Sequence, residues 1–81
     1  MDRATVLQSI ADVFEDVMDV DPATISETST GNEIEEWDSL SHVRLMIAIE
    51  RKFAVRFSNA EIEAMESVRD AIDLVLKKTS A

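Results

Sequence analysis

The sequence predicts an all-α fold: a small four-helix bundle with a long loop between the first and second helices and a short third helix. Three observations carry this. Apolar residues recur at three- and four-residue spacing in four segments, and no segment sustains period-two alternation beyond the brief Phe53-Val55-Phe57. Residues able to cap a helix stand at the boundaries between those segments. With 81 residues, 46% of them hydrophobic, the chain can bury about 60% of the surface its unfolded form would expose, enough for one core. No internal repeat or composition shift divides it, so residues 1–81 read as a single domain.

The first helix is expected over residues 4–18, where Val6, Leu7, Ile10, Val13, Phe14, Val17 and Met18 mark one face and Asp2 is placed to cap the start. Asp21-Pro22 is expected to end it. Residues 20–37 then carry Ser26, Thr28, Ser29, Thr30, Gly31 and Asn32, a polar, turn-rich loop with Ile25 and Ile34 to pin it to the core. The second helix is expected over residues 39–53 with Asp38 as N-cap. It is apolar at Leu40, Val43, Leu45, Met46, Ile47, Ile49 and Phe53, more than one face, which predicts the central helix of the bundle. Ser58-Asn59-Ala60-Glu61 is a capping box that opens a short third helix through Ile62 and Met65. The fourth helix is expected from Ser67, with an inward stripe of Val68, Ala71, Ile72, Val75 and Leu76. Lys77 and Lys78 then complement its C-terminal dipole.

Charge narrows the partners. The net charge of −9 argues against nucleic acid and anionic lipid, either of which needs a basic patch. The charge is also uneven: residues 1–38 hold 11 acids and 1 base, whereas residues 39–81 hold 6 acids and 7 bases. A basic partner surface would be drawn in from the loop side of Ser39, unless the acids serve only as a solubilising surface. There are no cysteines, which excludes disulfides and zinc-thiolate sites. Asp19-x-Asp21 starts like a calcium loop, but Ala23, Thr24 and Thr30 stand where ligands and a glycine are needed, so no metal site is expected. Met1-Asp2-Arg3 does not open a signal peptide, and no apolar run reaches the ~18 residues of a membrane span. A cytoplasmic monomer without membrane insertion is expected.

The pattern also places Ser39 in the first turn of the second helix, facing solvent beside unpaired N–H groups and the positive end of the helix dipole. That position tolerates an added anion such as a phosphate, so Ser39 reads as an attachment point or as an ordinary helix-start serine. Catalysis is not indicated. A chain this short has little room for a water-excluding cleft, and no Gly-x-Ser-x-Gly turn strains the serine.

With Asp38-Ser39-Leu40 after a long loop, continued by Val43, Leu45, Ala48-Ile49-Glu50 and Phe53 and then by Ser67-Val68 and Ala71-Ile72, the chain resembles the acyl carrier proteins over nearly its whole length. The resemblance implies that a phosphopantetheinyl transferase moves 4′-phosphopantetheine from coenzyme A onto Ser39. The arm's thiol then holds acyl groups as thioesters for acyl-loading and acyl-processing enzymes of fatty-acid, lipid or polyketide-type biosynthesis. Asp38 would serve as N-cap, as a contact for the transferase, or as both. The exposed part of the second helix would be the partner surface, through Leu40, Val43, Arg44 and Ile47, although burial competes as the explanation of Val43 and Ile47. Residues matching the family's acyl pocket are Ile49, Phe57, Ile62, Met65 and Ala71; Ile62 exceeds the usual alanine and predicts a shallow pocket.

Departures from the fatty-acid carriers point to a specialised member. Ser41, Arg44, Arg51 and Lys52 stand where acids are usual, and only Glu50 keeps the pattern. Arg44 would then repel a basic enzyme groove, or else pair locally with a carboxylate. Trp37 replaces a small residue and either packs under the loop or lies along the arm. His42 either touches the phosphodiester or is a solvent-exposed histidine without a role. An aminoacyl or peptidyl carrier is the alternative within the class, and an unmodified acidic helical adaptor is the alternative outside it.

Overall fold

The computed structural model describes residues 2–79 and is all-helical. Helix α1 spans Arg3–Met18, a 3₁₀ turn spans Pro22–Thr24, and α2, α3 and α4 span Ser39–Phe53, Asn59–Ala64 and Val68–Thr79. Asp2 caps α1 as expected, accepting from the Thr5 N–H at 2.8 Å. Helix α1 ends at Met18 as expected, but the residue that stops it is not the expected one. Asp19 turns left-handed (φ 56°, ψ 38°) and donates its N–H to the Glu15 carbonyl, so the helix stops before Pro22 is reached. Pro22 instead opens the 3₁₀ turn, where Asp21 accepts from the Ala23 N–H.

Helix α2 has the predicted bounds, but it is not the central helix. Only Leu45, Met46 and Ile49 of α2 are buried, on one stripe. Leu40, Val43 and Ile47 are 62%, 48% and 43% exposed. At about 100° per residue they fall on the opposite side of the helix. The hub is α1, which packs against both α2 and α4 through Val6, Ile10, Val13 and Phe14. Val68, Ala71, Ile72 and Val75 complete the core from α4.

Two devices hold the connections. The long loop is stitched to the start of α4: the Val68 and Arg69 N–H groups donate to the Ser29 and Glu27 carbonyls, both at 2.9 Å, and Thr30 bridges Ser67. Helix α4 begins one residue later than expected because Ser67 caps it, its hydroxyl accepting from the Asp70 N–H while the Asp70 carboxylate accepts from the Ser67 N–H. Arg3 adds a second clasp, donating to Glu27 in the loop and Asp73 in α4. After α2, Ala54 takes a left-handed conformation (φ 55°), and the Glu50 carboxylate accepts from the Phe57 N–H at 2.8 Å. The predicted capping box of α3 is formed in both directions between Ser58 and Glu61.

Candidate functional site

The site is built at the junction of the long loop and α2. Asp38 is extended (φ −98°, ψ −173°) and caps α2, its Oδ1 accepting from the Ser41 N–H at 2.9 Å. That bond holds the Asp38 carboxyl below its ordinary range, so it stays ionised at the helix N-terminus. Ser39 follows as the first residue of α2 and is exposed. Its hydroxyl takes part in none of the side-chain hydrogen bonds among the described residues, so a nucleophilic oxygen faces solvent with no bond to break first.

Trp37 is turned the other way. It is 8% exposed and meets Phe14 of α1 edge-on, with ring centroids 5.1 Å apart. Packing under the loop is therefore its place, and it does not lie along the surface. Its indole N–H donates to His42 Nδ1 at 2.9 Å, and the two rings stack at 26°. Because Nδ1 accepts, the ring proton sits on Nε2, which donates to the Ile62 carbonyl of α3 at 2.8 Å. His42 is thus neither a free surface histidine nor available to a phosphodiester. Both nitrogens are engaged, and the ring ties the loop, α2 and α3 together. Sequence reasoning missed this pairing, although a signal existed: Trp37 and His42 occupy the two positions, just before the cap and four residues into the helix, where a staple forms.

A groove of about 750 Å³ opens beside Ser39, walled by Thr30 and Gly31 of the loop, His42 and Val43 of α2, and Ile62 and Met65 of α3. Asp38, Glu63 and Glu66 also line it. Of the five residues matched to an acyl pocket, Ile62 and Met65 reach this groove. Ile49 and Ala71 are buried in the core, and Phe57 is half-buried against it. Arg44 is exposed and lines a different groove with Val13, Asp16 and Ile47, and it forms no ion pair among the described residues. No three His, Cys, Asp or Glu side chains among the described residues converge as a metal would require. No helix among them is long and apolar enough to cross a membrane.

Residues 8–75 match the family model described as the phosphopantetheine attachment site. The acyl carrier protein of Rubrobacter xylanophilus is 31% identical over 81 residues, covering both chains completely. Among solved structures, an acyl carrier protein from Thermotoga maritima superposes with a TM-score of 0.87 at 30% identity, over 99% of this chain and 93% of that one. The holo acyl carrier protein of Geobacter metallireducens gives 0.83 at 32% identity, over 93% and 86%. The exposed hydroxyl at the mouth of a groove fits an arm joined through a phosphodiester: the oxygen is unengaged, and the dipole of the adjoining helix start favours the phosphate against the nearby carboxylates.

Proposed function

This chain belongs to the acyl carrier protein family, and on that premise we propose that Ser39 is the residue to which 4′-phosphopantetheine is joined and that residues 1–81 form one carrier domain. The observation that carries the reading is the solvent-facing Ser39 hydroxyl, unengaged at the capped N-terminus of α2. When bound, the arm supplies a terminal thiol that holds acyl groups as thioesters. The chain's own residues do the rest. Asp38 fixes the first turn of α2 and offers a carboxylate to a basic residue of the transferase. His42, bonded to both Trp37 and Ile62, fixes α3 against α2 along the groove beside Ser39. The carrier has no catalytic residue; it raises the effective concentration of its cargo at partner active sites.

Leu40, Val43, Arg44 and Ile47 form the partner surface in this reading, supported by their exposure along one side of α2. The bulk of Ile62 in the groove and the filled core behind it favour a short or unsequestered acyl group. Arg44, Arg51 and Lys52, which form no ion pair among the described residues, favour a specialised carrier over a general fatty-acid carrier. An aminoacyl cargo is the second reading. Asp38, Glu63 and Glu66 along the groove would attract an ammonium and repel a carboxylate.

The test is intact mass after incubation with coenzyme A and a broad-specificity phosphopantetheinyl transferase, with Ser39→Ala alongside. A gain of one phosphopantetheine, lost in the variant, is expected. A folded protein that gains nothing, or a variant that gains equally, contradicts the assignment.

A further inference from the structure

Leu40, Val43, Arg44, Ile47 and Arg51 fall within one arc of about 100° on α2, so the exposed apolar residues and two cations share a face. Leu40, Val43 and Ile47 are the large hydrophobic side chains exposed among the described residues. The cations on and beside this face are uncommitted. The chain has eight Lys and Arg residues against seventeen acids. Arg3, Arg69 and Lys78, all outside α2, are each within 4.0 Å of a carboxylate. Arg44, Arg51, Lys52 and Arg56 take part in no ion pair and no side-chain hydrogen bond among the described residues. Nearby acids do not satisfy them. Asp16 shares a groove with Arg44 and Lys52 without pairing, and the Glu50 carboxylate is engaged by the Phe57 N–H.

The relief suits a protruding partner. Ile47 and Arg51 form a ridge between two shallow grooves of about 500 and 450 Å³, one bordered by Arg44 and Lys52, the other by Arg56. Charge also reverses along the helix. Its start carries Asp38 with Glu35 and Glu36 just before it, and its last turn carries Arg51 and Lys52. A flat anionic bilayer would meet those acids and the net charge of −9 with repulsion. A folded partner can be acidic at one end of its footprint alone.

We propose that the outward face of α2 docks a protein whose matching surface is acidic, its carboxylates set against Arg44, Arg51 and Lys52 and an apolar side chain seated beside Ile47. The inference rests on the carrier reading for taking α2 as the partner surface, and adds the chemistry of that partner. The charge reversal along α2 fixes which end of the partner's footprint lies at Ser39.

The test uses the full ¹⁵N-labelled chain and two synthetic helical peptides with the same leucine anchor, one flanked by glutamates and one by lysines. The acidic peptide is expected to shift the amides of residues 43–52, with affinity falling about tenfold or more from low to high salt. Arg44→Glu/Arg51→Glu should abolish that response and transfer binding to the lysine peptide. Arg44→Gln/Arg51→Gln, with unchanged spectral dispersion elsewhere, should weaken it without reversing it. Lysine-peptide binding at residues 43–52 of the unaltered chain overturns the inference. So do the absence of any α2 response to the acidic peptide, and a response to phosphatidylglycerol vesicles alone. The carrier reading is judged separately by mass gain at Ser39. A gain without acidic-peptide binding defeats this inference alone, and binding without a gain defeats only the carrier assignment.

Discussion

Replacing His42 with alanine removes the acceptor of the Trp37 indole N–H and the donor to the Ile62 carbonyl in one step. An orphaned buried polar group costs about 1–3 kcal/mol, and losing the stacked ring pair adds about 0.5–1.5 kcal/mol. His42 is half-buried, so water reaches part of the gap, which places the total near the low end, about 2–3 kcal/mol. At about 4–8 °C per kcal/mol for a domain this size, the midpoint should fall by roughly 10–20 °C. The assay is thermal and urea unfolding followed by far-ultraviolet circular dichroism for wild type, His42→Ala, Trp37→Phe and the double variant. Phenylalanine keeps an aromatic ring facing Phe14 but loses the indole N–H and part of the ring's volume; the packing loss is common to both backgrounds, so the cycle reports the interaction between Trp37 and His42 across the cap. A coupling of about 1–2 kcal/mol is expected. A His42→Ala variant within about 0.5 kcal/mol of wild type, or a coupling near zero, would refute the view that this ring ties three elements together.

Phe14 is fully buried in the core face of α1, so Phe14→Ala should cost about 3–5 kcal/mol and leave the chain largely unfolded at 37 °C, read by loss of amide dispersion. Ala54 holds a left-handed conformation, which glycine adopts without penalty, so Ala54→Gly should stabilise by up to about 1 kcal/mol; a loss in thermal unfolding would contradict this. Asp2, Glu27, Asp38 and Glu61 are held below the ordinary carboxylate range, by the Thr5 N–H, Arg3, the Ser41 N–H and the Ser58 N–H respectively. Carboxyls depressed in the folded state stabilise it above their unfolded values. That contribution should therefore be complete at neutral pH and vanish as pH falls through the folded values; unfolding midpoints that are flat or rising on acidification to pH 3 would count against it.

The parts of this fold legible in the sequence are those set by local chemistry. Asp38 before Leu40 and Ser58 three residues before Glu61 specify helix starts through bonds spanning three residues, and the structure forms both. The end of α1 at Met18 was legible but its cause was not, because Asp19 turns left-handed and stops the helix before proline is reached. The rank of α2 was misjudged for a different reason. Hydrophobicity alone does not separate a buried stripe from an exposed one, so apolar residues on more than one side of α2 suggest a central helix although Leu40, Val43 and Ile47 face outward. The ties of Arg3 to Glu27 and Asp73, and of Val68 to Ser29, join residues far apart in the chain and leave no periodic trace. At the candidate site, Ser39 could be placed from the helix start, whereas the hydrogen bonding of His42 depended on a partner five residues back and another on α3.

The most direct test of the carrier reading is tandem mass spectrometry of the protein purified from its own cells, locating any phosphopantetheine along the chain. The account predicts the group on the peptide containing Asp38-Ser39-Leu40, released from Ser39 itself. A fully unmodified Ser39 in protein from growing cells, or the group on another hydroxyl, would contradict it.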